Sequence, residues 1–297
     1  MGFKITINFN QNLIMDQRII NLYDEYTHNP LNRQDFLKRL AVLAGGTMAA
    51  MTLLPLLENN YANAAVTKDD DLFTEYITYP GVPNEMKAYV ARPKKDKKYP
   101  AIIVIHENRG LNEHIEDVTR RAAKEGYLAI APNALSALGK IPVNEDDARK
   151  LFQELKADDN LKNFLNAFNY LDTRKDYNGK IGCVGFCWGG AMSNRLAVNV
   201  PDLKAAVAFY GGQPAVEDVP KIKAAIQLHY AGLDERVNAG IPVYEEALKK
   251  NNIKYWLYMY DGVNHAFHNN TSPTRYNEQA ATLAWSRTMK FFKKHLK

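Results

Sequence analysis

The sequence predicts an α/β fold, a mostly parallel central sheet flanked by helices. Three observations carry this expectation. From about Leu72 onward, short β-branched segments alternate with helical segments, the order that builds a parallel sheet covered on both faces. Residues 101–105 are continuously apolar, as in a strand buried on both sides. The 297 residues are 46% apolar and 24% charged, ordinary values for a globular chain that can bury one large core and still carry an extension.

The elements follow in order. Segments 72–78 and 86–91 alternate in polarity, an antiparallel lead-in joined near Pro80-Gly81. Strand 101–105 is followed by an amphipathic helix over 111–125, which ends at Gly126, and by a strand over 127–131. Ala148, Leu151, Phe152 and Leu155, then Leu161, Phe164, Leu165 and Phe168, place helical spacing over 145–171. Strand 180–186 leads into helix 189–198. Strands follow at 205–210, 224–230 and 254–260, with helices at 243–250 and 278–295. Catalytic residues of such a sheet belong at the carboxyl ends of its strands.

The formal net charge of +5 is modest and scattered. The cluster Lys94, Lys95, Lys97 and Lys98 sits beside Pro93 and Pro100 and reads as a solvated turn. The lysines of the last segment complement a helix dipole. Neither is the clustered basic stripe that nucleic acid requires. Cys183 and Cys187, placed along a strand, stand about 13 Å apart, beyond the reach of about 7 Å for a disulfide. No histidine lies at zinc-ligand spacing from them. No G-x-G-x-x-G follows a strand. We therefore expect no metal, no organic cofactor and no nucleic-acid partner, and a monomer or small homo-oligomer.

Residues 1–65 differ from the rest. They hold five Lys or Arg and five Asp or Glu, so the net charge lies downstream, in the 66–297 domain. Residues 40–57 carry no charge, follow Arg33, Lys38 and Arg39, and precede Ala62-Asn63-Ala64 with Ala65 next. That order matches an export signal. Asn32-Arg33-Gln34-Asp35-Phe36-Leu37-Lys38 resembles a twin-arginine (Tat-like) signal, with Gln34 in place of the second arginine. Translation from Met15 instead of Met1 would shorten the segment ahead of it. Export to the periplasm is weighed against a helix kinked near Pro55 and docked on a cytoplasmic domain. A permanent span is disfavoured by Gly45, Gly46, Thr47, Thr52 and Pro55.

The strongest local signal is Gly185-Phe186-Cys187-Trp188-Gly189-Gly190. It joins a strand to a helix and fits the nucleophile elbow G-x-S-x-G with Cys as nucleophile. A thiol at a helix N-terminus gains thiolate character from the unpaired N–H groups. The base and its orienting acid follow in chain order. Asp234 stands just past strand 224–230, with Glu235 and Asp261 as rivals, and His265 in the loop after strand 254–260. The oxyanion donors expected are the backbone N–H groups of Trp188 and Asn108. A carboxylate at Glu107 would face the cysteine.

These motifs together resemble the dienelactone hydrolase (carboxymethylenebutenolidase) family, of the α/β-hydrolase fold. The resemblance runs over roughly residues 74–296. It is carried by Ile105-His106-Glu107-Asn108-Arg109-Gly110, Ala131-Pro132-Asn133, the cysteine elbow, Tyr210-Gly211-Gly212, Ala231-Gly232-Leu233-Asp234 and Asn264-His265-Ala266-Phe267. It implies a Cys187-His265-Asp234 triad, a thioester intermediate, a gating role for Glu107 in contact with the cysteine, and a small lactone or ester as substrate. The family's arginine shortly after the histidine is missing from His265-Ala266-Phe267-His268-Asn269-Asn270. Arg109 and Arg275 are the substitutes available to bind a substrate carboxylate.

Overall fold

The computed structural model describes residues 3–8, 15–29, 31–64, 67–140, 142 and 144–297, with the backbone alone at 3–8 and 63. The chain opens with β1 (Phe3–Asn8), α1 (Gln17–His28), α2 (Arg33–Ala44) and α3 (Thr47–Leu57). There follow β2 (Leu72–Tyr79), β3 (Met86–Pro93), β4 (Tyr99–Ile105), α4 (Glu113–Lys124) and β5 (Leu128–Asn133). Helices α5 (Glu145–Glu154) and α6 (Ala157–Asp172) lead to β6 (Tyr177–Phe186), α7 (Trp188–Asn199) and β7 (Ala205–Phe209). The last elements are β8 (Ala225–Ala231), α8 (Glu235–Asn238), α9 (Ile241–Lys250), β9 (Tyr255–Asp261) and α10 (Glu278–Leu296).

The strands form one sheet in the order β1-β9-β8-β7-β6-β4-β5-β3-β2. Only the β2–β3 and β3–β5 pairings are antiparallel. The antiparallel lead-in and the parallel centre agree with the alternation in the sequence. Ile102 and Val104 of β4 face one core with Ile115 and Val118 of α4 and Phe292 of α10. Ile103 and Ile105 face the other, with Phe164 of α6, Leu196 of α7 and Leu248 of α9. This two-sided burial is why β4 carries no polar residue.

The helical run over 145–171 is two helices. Leu155 leaves α5 with φ −69° and ψ 125°, an extended backbone. The step from Leu155 to Leu161 falls off the 3.6-residue period, so one straight helix could not bury both on one face. Leu155 instead turns out to pack on the core. Asp158 and Asp159 then sit in the first turn of α6, where the helix dipole favours acids.

The N-terminal segment is the larger departure. Strand β1 pairs in parallel with β9 and extends the sheet. The uncharged stretch 40–57 is not one helix kinked at Pro55. It breaks at Gly45–Gly46, where α2 and α3 meet at 110°. Gly45 takes φ 79° and Gly46 φ 148°, left-handed values that suit glycine. The Gly46 N–H returns to the Ala41 carbonyl, closing the end of α2. Among the described residues no single helix is long and apolar enough to cross a membrane.

Helices α1–α3 share a small core of Ile20, Tyr23, Tyr26, Phe36, Leu40, Leu54 and Leu57. That unit is pinned to the sheet domain by polar contacts. Gln17 donates to Asn264 at 2.6 Å, Arg149 donates to the Tyr26 carbonyl at 3.1 Å, and Asn108 donates to the Thr27 carbonyl at 2.8 Å. The Arg275 guanidinium, 5% exposed, reaches Asp24 at 3.0 Å. Ala65, which follows the A-x-A motif, lies outside the described residues.

Removing Asp24 leaves a buried guanidinium without its carboxylate. Asp24→Ala is expected to cost about 3 kcal/mol, read as a lower urea midpoint. An unchanged midpoint would mean that the extension is not held by this pair.

Candidate active site

The elbow is built by crowding. Cys187 follows β6 and stands at the N-cap of α7 with φ 55° and ψ −114°, a strained backbone for a residue with a Cβ. A Cβ at position 185 would stand 1.9 Å from the Gly189 carbonyl oxygen. One at position 189 would stand 2.3 Å from that of Ile105. Glycine is therefore required at positions 185 and 189, on both sides of Cys187. Gly189→Ala should give protein that fails to fold or lacks the native thermal transition, and a native-like melt would contradict the geometry.

Four sheet strands deliver the site at their carboxyl ends. Strand β4 leads to Glu107 and Asn108, β6 to Cys187, β8 to Asp234 and β9 to His265. His265 Nδ1 donates to Asp234 Oδ2 at 2.5 Å, and both side chains are buried. Asp234 Oδ1 accepts the Val237 N–H at 3.2 Å, fixing the carboxylate at the start of α8. The rival acids Glu235 and Asp261 do not take this place. His265 Nε2 is buried and has no hydrogen-bond partner among the described residues. It faces the sulfur: the donor atoms of His265, Cys187 and His28 lie within 4.8 Å of one another.

His28 is the residue that sequence reasoning missed. It sits at the last turn of α1, and its Nε2 lies 3.1 Å from Cys187 Sγ. Its ring packs edge-on against His265, with centroids 4.7 Å apart. Its Nδ1 contacts the Asp24 carbonyl at 2.8 Å and Thr27 Oγ1 at 3.0 Å. Residues 28 and 187 are 159 positions apart, and no local motif signals their meeting.

Glu107 does not share the thiol's hydrogen bond. Its carboxylate accepts from Tyr210 Oη at 3.2 Å and from Asn269 Nδ2 at 2.7 Å. It borders a small cavity together with Cys187, Arg109 and Arg275. His106 is structural: its Nε2 accepts the Ala134 N–H at 3.0 Å, and its ring stacks on Trp188. Arg109 donates to Asn108 Oδ1 and faces Glu145, while Arg275 is taken up by Asp24 and Ser272. Trp188 is the first residue of α7, so its N–H has no intrahelical acceptor.

A cavity of about 310 Å³ opens beside the thiol. The sheet domain lines it with Asn108, Trp188, Tyr210 and Arg236, and the extension with Thr27, His28 and Asn29. Cys183 is free, buried inside β6, and burial pushes its thiol up to about 12. It is a core residue and takes no part in this site.

Electrostatics separates the two imidazoles. Burial opposes a charge on His265, but the Asp234 carboxylate and Cys187 outweigh it and raise its pKa to about 10. Burial, then the neighbouring His265, holds His28 well below its ordinary value. Burial alone would raise Asp234, yet the His265 charge leaves it below the ordinary range. The raised His265 stabilises the fold fully below its unfolded pKa of about 6.5. That contribution is lost as pH rises through about 10. The depressed Asp234 contributes above its unfolded pKa of about 3.9 and loses this in acid. The stability gap between wild type and Asp234→Asn should therefore be widest between roughly pH 4 and 6.5, and should narrow as pH rises toward about 10. Urea unfolding across pH checks this, and a gap independent of pH would refute the ion pair.

The dienelactone hydrolase family model matches residues 86–296. The chain belongs to that family. A second model, described as YqhI-like, matches residues 15–45, which span α1, with His28 at its end, and α2. A protein of Escherichia coli (strain K12), provisionally named a carboxymethylenebutenolidase, is 32% identical over 246 residues, 77% of this chain and 90% of that one. One of Saccharolobus solfataricus, with the same provisional name, is 31% identical over 248 residues, 71% and 94% of the two chains. A crystal structure from Klebsiella pneumoniae, provisionally titled a dienelactone hydrolase, superposes with TM-score 0.67 at 28% identity. It covers 75% of this chain and 99% of that one. This dienelactone hydrolase family member is thus a hydrolase of the ester-cleaving kind, with a YqhI-like segment ahead of its catalytic domain.

Proposed function

We propose that the protein hydrolyses lactones or small carboxylic esters through a Cys187-His265-Asp234 triad. The observation that carries this is the convergence of a thiol on a strained elbow with a buried, carboxylate-bound imidazole at the wall of one cavity. The thiol proton of Cys187 passes to His265 Nε2, and the sulfur then attacks the acyl carbon. The backbone N–H groups of Trp188 and Asn108 receive the oxyanion. The intermediate collapses, the alkoxide leaves with the proton from His265, and a thioester remains on Sγ. Water then attacks the thioester with His265 as base, releasing the acid and the thiol. Asp234 holds the imidazole tautomer throughout.

We assign Glu107 the gate beside the thiol, reorienting from Tyr210 and Asn269 when substrate enters. The engagement of Arg275 by Asp24, and of Arg109 by Asn108 and Glu145, favours a second reading of the substrate. A small neutral ester would need no arginine of its own, whereas a carboxylate-bearing lactone would have to displace one of these pairs.

The test is a panel of p-nitrophenyl esters, a dienelactone and a p-nitroanilide. The reading expects ester or lactone turnover and a silent anilide, because a thiolate leaves a tetrahedral intermediate more readily than an amine does. Anilide cleavage at a rate like that of the esters would overturn it.

A further inference from the structure

We propose that His28, Cys187 and His265 form a binding site for a thiophilic divalent cation of the zinc class, and that occupancy blocks the nucleophile. The inference stands on donor geometry and does not require the hydrolytic reading to hold. The three donors, one sulfur and two imidazole nitrogens, lie within 4.8 Å of one another. The His28 Nε2 to Cys187 Sγ separation is 3.1 Å. Zinc bonds of about 2.3 Å to sulfur and 2.0–2.1 Å to nitrogen set tetrahedral donor separations of roughly 3.5 Å, within side-chain adjustment of this arrangement.

The outer contacts are those of a metal site. Asp234 holds His265 Nδ1 and the Asp24 carbonyl holds His28 Nδ1, so each ring can turn an Nε2 lone pair toward the sulfur. His265, 2% exposed, has that Nε2 unpartnered and buried. The 310 Å³ cavity borders all three side chains and leaves a fourth position for water or an anion. The Asp234 carboxylate and the thiolate favour a cation. Arg236, exposed at the cavity wall, and Arg109, which faces Glu145, oppose it. Binding forms a cation–sulfur bond and releases the thiol proton to solvent. The sulfur lone pair that would attack an acyl carbon is then engaged.

Chain spacing hides this site. Its donors come from the N-terminal extension, the elbow and the loop after β9, and the fold alone joins them.

The experiment uses the full-length protein stripped with chelator. Zinc binding is measured by calorimetry and cobalt binding by absorption, for wild type, His28→Ala, His28→Gln and Cys187→Ala. Thermal melts check that each variant is folded, and His28→Gln preserves side-chain bulk if the alanine variant is not. One zinc per wild-type chain, about 100-fold weaker binding in the His28 variants, and a thiolate-to-cobalt band absent from Cys187→Ala are expected. These readouts need no substrate, so they stand whether or not the hydrolytic reading survives. Ester hydrolysis should also fall with the same midpoint as zinc occupancy. No zinc binding, equal affinity in wild type and His28→Gln, or cobalt binding without the thiolate band would overturn the site. Full hydrolysis at saturating zinc would overturn its blocking role.

Discussion

Cys187→Ala is expected to reduce ester hydrolysis on the order of 10⁵-fold or more, to the level of buffer. The sulfur is the only group the elbow presents to the cavity for covalent attack, and alanine offers no replacement. Alanine is smaller and keeps the Cβ that the backbone already accommodates at φ 55°. The variant should therefore melt near wild type while losing turnover. Steady-state kinetics beside a thermal melt separates the two. A folded Cys187→Ala protein with wild-type kcat/KM would remove cysteine from the mechanism.

His265→Ala is expected to lose on the order of 10⁴-fold or more, and the double variant with Cys187→Ala should be no worse than the worse single variant. In the proposed mechanism Cys187 and His265 act as one unit, so their losses do not add. The pH profile of alkylation gives a second reading. In wild type, iodoacetamide should modify Cys187 at neutral pH, because His265 Nε2 stands beside the sulfur as its base. Without His265 the rate should be lower at neutral pH and approach that of wild type only at higher pH. Identical profiles would show that His265 does not govern the thiol.

The placing of Cys187, Asp234 and His265 along one sheet edge was legible because its signals are local. The elbow announces itself through two glycines that the packing demands, at positions 185 and 189. Asp234 and His265 each follow a strand directly, and strand ends are readable from β-branched runs. Helix boundaries were legible to within a residue or two where Asn112 and Asn277 cap α4 and α10. The break at Leu155 was less so, since Leu151, Phe152 and Leu155 still fit one helical face.

What the sequence concealed depends on long-range packing. The apolar stretch after Lys38 and Arg39 has the order of an export signal, and the same leucines serve a three-helix unit once Gly45 and Gly46 fold it back. Nothing near His28 marks it: it is one of seven histidines, and its meaning comes from the C-terminal end of α1 reaching the wall of the cavity beside the thiol. Cleavage after Ala64 would remove His28 and the cavity wall it forms with Thr27 and Asn29. The roles foreseen for Arg109 and Arg275 met competition of the same kind, from Glu145 and from Asp24 in the extension.

The most direct test of the account is to trap the acyl-enzyme. Full-length protein mixed with excess p-nitrophenyl acetate is quenched in acid and weighed intact, then digested. The account predicts a gain of one acetyl group, located on the peptide that contains Cys187. Turnover with no adduct, or an acetyl group on another residue, would contradict it.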